Sequence, residues 1–181
     1  MLFLRPLLII SILLLSACAD VFDDINPSGS DERGDYNSST VGYHPGETAP
    51  DFAVFDTLNN PFLMSAELVG SDAIVVYFTM WCPICDSHMS HMRTNIIPNY
   101  PNVKFYFIDY VSGVVSVARS SQLDSGYGAS NVLVDDLNHT VTNLYSATMG
   151  STIVIDSNTI LQMNEDYKDG RKLQTVLDAL P

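Results

Sequence analysis

Basic residues are scarce in this chain. Of its 181 residues, eight are Lys or Arg against 21 Asp or Glu, a formal net charge of −13. Nucleic acid is therefore not an expected partner, and an anionic lipid surface would repel the folded part. Cysteine is scarce too, at three residues, which excludes a miniature fold stapled by several disulfides. No internal repeat is visible. Nor is there an apolar run of the about 20 residues a membrane-spanning helix needs; the nine residues Leu7 to Leu15 are the nearest approach.

That short run has a clear context. Arg5 is the one charge before it, and the small residues Ser16 and Ala17 follow it. This is the layout of a secretory signal peptide, residues 1–17. Leu15-Ser16-Ala17-Cys18 resembles the lipobox of bacterial lipoproteins. The resemblance implies cleavage before Cys18, lipid on its sulfur and an acylated amino group; the alternative is an ordinary signal whose cleavage site happens to include a cysteine. Several acyl chains, at about 0.8 kcal/mol per buried CH₂, anchor stably. The resemblance thus implies a protein of the bacterial cell envelope, lipid-anchored to a membrane, with its domain facing the periplasm or another extracytoplasmic space. Removing residues 1–17 takes away Arg5 and no acid, leaving seven basic against 21 acidic residues, or −14.

Residues 18–45 are rich in Asp, Ser, Gly and Asn and poor in apolar residues, so they read as a disordered acidic tether. A flexible segment of that length reaches roughly 30 Å. Residues 46–181 read as one domain. Asp51–Phe55 and Phe62–Met64, around the turn Asn59-Asn60-Pro61, suggest a hairpin. Ser65 is placed to cap a short helix through Val69. Ala73–Phe78 (AIVVYF) is β-branched and aromatic without alternation, the pattern of a strand buried on both faces. A helix from Cys82 to about Ile97 ends at Pro98, and Val103–Tyr110 is a second interior strand. Helices over Val114–Leu123, Leu137–Ser146 and Lys172–Leu180 alternate with strands at Asn131–Val134, Thr152–Ile155 and Ile160–Asn164. The order predicts an α/β domain, a central mixed β-sheet flanked by helices on both faces, with an N-terminal β-hairpin extension.

The chemistry concentrates in FTMWCPICDSHMSHM, residues 78–92, with two cysteines, two histidines and three methionines. With Cys18 set aside for lipid, Cys82 and Cys85 are the remaining pair, in an oxidising compartment. A cysteine at a helix N-terminus meets unpaired N–H groups and the positive end of the helix dipole, which favour a thiolate. A buried strand running into Trp81-Cys82-Pro83-Ile84-Cys85 at the mouth of a helix resembles the thioredoxin-like superfamily. Gly46-Glu47-Thr48-Ala49-Pro50-Asp51-Phe52, the early hairpin and Ser151-Thr152-Ile153-Val154-Ile155-Asp156 resemble its TlpA-type, or redoxin (AhpC-TSA-related), branch. The resemblance implies a thiol–disulfide oxidoreductase acting on extracytoplasmic protein thiols and disulfides, with no required cofactor. Cys82 would attack a partner disulfide and Cys85 resolve the mixed disulfide. Pro83 suits the first helical turn, and Trp81 shields the pair or serves as core.

Three departures from the family stand out. Val75 and Val76 fill the region where many thioredoxins carry a buried acid. His88 stands where the TlpA-type branch often has Glu. Gly150, by the register of STIVID, stands where the family has a cis-proline. Glycine there opens space beside the sulfurs and loosens the loop. At about 100° per residue, His88, Met89 and Met92 fall on the Cys85 side of the helix, while His91 points elsewhere and is expected in solvent. A second reading is therefore a Cu(I) or Zn²⁺ binding or metallochaperone protein using Cys82, Cys85 and His88. A third is a thiol peroxidase of the peroxiredoxin kind, with Thr79 three residues before Cys82, although Val75 stands where that motif has Pro. No partner is assigned to Asp109, His44 or His139.

Overall fold

The computed structural model describes residues 37–180. The signal peptide, Cys18 and the rest of the expected tether up to residue 36 lie outside them. Seven strands form one sheet: β1 (Ala53–Asp56), β2 (Pro61–Leu63), β3 (Ala73–Thr79), β4 (Val103–Asp109), β5 (Val132–Val134), β6 (Ser151–Asp156) and β7 (Leu161–Asp166). Their order across the sheet is β2-β1-β5-β4-β3-β6-β7. β3, β4 and β5 run parallel, and the flanking pairs are antiparallel. The helices are α1 (Met64–Leu68), α2 (Pro83–His91), α3 (Val115–Asp124), α4 (Thr140–Leu144) and α5 (Arg171–Asp178). This is the mixed α/β sheet with an N-terminal hairpin that the sequence predicts.

All seven residues of β3 are buried. Ile74, Val76 and Phe78 pack into one apolar cluster with Ile108, Leu133, Ile153 and Tyr145. Ala73, Val75 and Tyr77 pack into the other, with Cys85, Met89, Met92, Phe107 and Leu173. A strand with helices on both sides has no solvent face, so it tolerates an unbroken apolar run.

Local chemistry moves several boundaries. α1 starts at Met64 with no side-chain cap from its flanking residue. Ser65 is inside the helix, and its N–H and hydroxyl both donate to the Asp51 carboxylate at 3.0 and 2.6 Å. Asp51, in the preceding chain, therefore does the capping expected of Ser65. α2 continues past His91 as a π-helical turn, Met92–Ile96, and a 3₁₀ turn, Ile97–Asn99, that holds Pro98. α4 is shorter than the expected Leu137–Ser146. Asp135 accepts the N–H groups of Val141 and Thr142, and Asp136 those of Asn138 and Thr140, so the two carboxylates hold a turn where the helix was expected to begin.

Part of the segment read as tether, residues 37–45, lies among the described residues. Residues 37–45 are bonded onto the domain: Thr48 N–H donates to Thr40 O, Gly42 N–H to Thr48 O, and the Asn164 side chain to Tyr43 O. Thr48 in turn bridges Ile160. The polar composition that suggested disorder supplies hydrogen bonds to this loop instead.

Candidate active site: the Cys82–Cys85 pair

β3 ends at Thr79 beside Asp109, the last residue of β4. Three residues, Met80 to Cys82, then turn the chain into α2. Trp81 takes a left-handed backbone, φ 59°, a conformation costing about 1–3 kcal/mol for a side chain of this kind. Two bonds hold it there. Its N–H donates to Thr79 Oγ1 at 3.1 Å, and its indole Nε1–H donates to Asp109 Oδ2 at 2.7 Å. Asp109, fully buried, also accepts the N–H groups of Val111 and Ser112 and the Ser112 hydroxyl. Trp81 thus ties the loop before the cysteines to the end of β4, and its ring packs near Tyr127 at 6.2 Å. Asp109, without a partner in the sequence analysis, is the anchor of this loop.

Cys82 is the N-cap of α2, and Pro83 occupies the first turn. Cys82 Sγ, half-buried, accepts the Cys85 N–H at 3.1 Å. Cys85, one turn further, is fully buried. Both are free thiols. Burial pushes Cys82 up, as does the Cys85 thiol, against which the Cys85 N–H pulls it down. Burial also pushes Cys85 up, but donors from Cys82, the Met80 backbone and Thr79 outweigh it and leave Cys85 lowered. The helix-terminus argument alone would favour the thiolate on Cys82. Instead the donors gather around the buried sulfur, so Cys85 is the one lowered and Cys82 the one raised.

His88 is half-buried. Its Nδ1 lies 3.1 Å from the hydroxyl of Tyr77, a residue with no solvent exposure. Burial, and then the neighbouring His91, lower the His88 pKa, favouring the neutral ring. His91 is not left to solvent as expected: its Nδ1 is 2.6 Å from the Tyr167 hydroxyl. The Tyr167 ring also stands 4.9 Å from that of His88. Met89 and Met92 are fully buried in the apolar cluster.

The metal set expected from Cys82, Cys85 and His88 is not gathered. Among the described residues no group of three or more His, Cys, Asp and Glu is arranged to hold an ion. The wheel placed His88 on the correct side of α2, but Tyr77 occupies its inward nitrogen. Thr79, on which the peroxidase reading turns, accepts the Trp81 N–H at 3.1 Å and is among the groups that lower the Cys85 pKa.

Gly150 stands where the register placed it, just before β6, with its N–H donating to Phe78 O at 3.0 Å and its carbonyl accepting from Tyr167 N–H at 2.8 Å. Its φ is +89°, and an added Cβ would meet nothing within 4 Å. The space beside it is open, as expected of a glycine here. A proline would fit neither the positive φ nor the bonded N–H. No peptide bond among the described residues is cis.

Sequence reasoning missed Tyr77, Asp109 and Tyr167. The signal for Tyr77 was present: a buried tyrosine hydroxyl needs a partner, and a lone hydroxyl in AIVVYF, on the Val75 side of the strand, points at the helix bearing the cysteines.

No protein-family model matches this chain, and no curated protein does. Solved structures do. A candidate thiol:disulfide interchange protein DsbE from Chlorobium tepidum superposes with TM-score 0.63 at 18% identity, covering 76% of this chain and 98% of that one. The peroxidoxin BcpB of Mycobacterium tuberculosis gives 0.62 at 18%, covering 76% and 97%. A secreted M. tuberculosis disulfide oxidoreductase homologous to E. coli DsbE gives 0.55 at 19%, covering 71% and 96%. The sheet order, the dithiol at the head of α2 and these superpositions together identify the fold of residues 37–180 as thioredoxin-like.

Proposed function

We propose that this protein is a membrane-anchored, extracytoplasmic thiol–disulfide oxidoreductase in which Cys82 attacks a partner disulfide and Cys85 resolves the product. The observation that carries the reading is the stacking of the two sulfurs: Cys82 half-exposed at the helix cap and bonded to the Cys85 N–H, with Cys85 buried behind it. Accessibility selects the attacking sulfur, since only Cys82 is open to a partner. The buried sulfur is one turn away, placed to close the ring.

The substrate is a protein or peptide. The cavity of about 710 Å³ beside β1, β2 and α1 includes neither cysteine. Cys82 is instead flanked by Met80 and Ile84, 44% and 57% exposed, apolar side chains suited to a polypeptide segment laid over the pair. The membrane attachment rests on the Leu15-Ser16-Ala17-Cys18 motif, and Cys18→Ser should release the protein from membranes or leave its signal uncut. The test of the exchange reading is trapping. Cys85→Ala should accumulate mixed disulfides through Cys82, read on non-reducing gels and by mass spectrometry. Trapping by Cys82→Ala instead would reverse the roles, and trapping by neither would remove the reading.

A further inference from the structure

In the mixed disulfide Cys82 is bonded to the partner and can no longer take the Cys85 proton, which must leave before Cys85 attacks. Its side chain is fully buried, so bulk water cannot take the proton when Cys85 attacks. The two positions where the family resemblance leads one to look for a buried acid are valines. Val76 points to the far face of β3, and Val75 is hydrocarbon. One residue further along, on the near face with Val75, is Tyr77. Tyr77 packs with Cys85 in the same buried cluster, the thiol is among the groups that raise the tyrosine's pKa, and the hydroxyl lies 3.1 Å from His88 Nδ1. Cys85 and His88 are three residues apart on α2, so both side chains face the same strand.

We propose that Tyr77 is a catalytic residue: its buried hydroxyl passes the Cys85 proton to His88 Nδ1 as Cys85 attacks the mixed disulfide. The proposal rests on the oxidoreductase reading above. The balance is as follows. In the mixed disulfide, Cys82 is bonded to the partner sulfur. Cys85 S–H donates to Tyr77 Oη while Tyr77 O–H donates to His88 Nδ1, leaving a Cys85 thiolate, a neutral tyrosine and an imidazolium. The thiolate bonds to Cys82 Sγ. The Cys82–partner bond breaks with its electron pair on the partner sulfur, which leaves as a thiolate. The protein dithiol is oxidised by two electrons and the partner disulfide reduced by two. His88, half-exposed, then releases the proton to water.

The surroundings suit a relay better than a store. The groups facing Tyr77 and His88 are Cys82 and Cys85 at the head of α2, His91 one turn along it, and Tyr167 after β7; Tyr110, after β4, feels the same two thiols. Asp169 acts on Tyr167, which burial pushes up to about 12. No carboxylate is among the groups that shift His88 or Tyr77, so an imidazolium here gains no counter-charge and its proton moves on. Burial keeps Tyr77 itself protonated throughout, the condition for a group that transmits a proton without holding an anion.

The test separates the two sulfurs in time. Full-length protein carrying Cys18→Ser is reduced and mixed with an aromatic disulfide whose released thiolate is coloured. The first release reports attack by Cys82, the second attack by Cys85. General acid–base assistance is worth about 10²–10⁴-fold. Tyr77→Phe should leave the first release within about twofold and slow the second at least about tenfold at neutral pH. The slowed phase should rise with pH as hydroxide takes over the deprotonation. His88→Gln, which keeps an acceptor for Tyr77 but cannot carry the proton away, should slow the second release alike, and the double variant should be no slower than Tyr77→Phe. Near-ultraviolet circular dichroism checks folding. If Tyr77→Phe does not fold, His88→Gln decides alone. A wild-type second release in Tyr77→Phe, equal slowing of both releases, or multiplying losses in the double variant each overturn the relay while the oxidoreductase reading stands. A wild-type protein that gives no second release overturns both.

Discussion

β3 divides its side chains between two cores of different character. On one face Ile74, Val76 and Phe78 meet Phe52, Phe62, Ile108 and Ile153, and Phe52 stacks on Phe62 at 5.6 Å. Fully buried Tyr145 there donates to Pro50 O at 2.6 Å, and the one titratable partner at this face's edge is Glu67, which accepts from Tyr106 at 2.9 Å. On the other face every tyrosine hydroxyl has a partner that titrates: Tyr77 with His88, Tyr127 with Asp86, Tyr167 with His91. The first face supplies burial, worth about 25 cal/mol per Å² of apolar surface. The second uses the same strand to place buried polar groups around a sulfur pair. Because β3 alternates, one residue step separates hydrocarbon from chemistry.

The largest way to break this comparison is Phe78→Ala. It should cost about 3–5 kcal/mol of stability, read by urea unfolding. If the faces are independent, the folded variant should still exchange disulfides at the wild-type rate, and a proportionate loss of rate would show that they are not. Trp81→Phe removes the one tryptophan and its bond to Asp109. A bond to a charged group is worth about 1.5–3 kcal/mol, so the chemical face should lose stability through one polar contact. An unchanged unfolding midpoint would mean the other donors to Asp109 suffice. Gly150→Ala has room for its methyl group but not the φ of +89°, and should cost about 1–2 kcal/mol. Isosteric space without strain would leave stability untouched, so the measured loss separates backbone from packing.

The smallest effect sharpens the comparison through pH. Burial first, and His91 second, lower His88 below its ordinary value of 6.5. The unfolded chain therefore binds this proton more readily than the folded one. The stability contributed by neutral His88 is complete above the ordinary histidine range and is lost as pH falls below it. Unfolding midpoints should drop between about pH 7 and about pH 5, and His88→Gln should flatten part of that drop. An identical slope in the variant would move the assignment to other groups.

Much of this was legible in the sequence because it is local. AIVVYF announced a strand without a solvent face, Pro83 and Cys82 announced a helix start, and the run STIVID fixed Gly150 by counting. Ser65 was misassigned because its cap comes from Asp51, fourteen residues earlier. Trp81–Asp109 and His91–Tyr167 were invisible for a different reason: they are separated by 28 and 76 residues. They depend on strand register and on how a helix sits over a sheet, which periodicity does not encode. His91 looked solvated on a helical wheel because the wheel has no knowledge of the loop after β7.

The loop that bonds residues 37–48 to the domain has a directional consequence. Thr48 pairs with Ile160, at the turn after β6. β6 begins next to Gly150 and Phe78, beside the cysteine end of β3, and runs away from it for six residues, roughly 20 Å at about 3.3 Å each. The chain is therefore gripped at one pole of the sheet while its sulfurs open at the other. Cys82 thus opens about one strand length from the point where residues 37–48 are bonded to the sheet, and that end of the sheet stays clear of this loop.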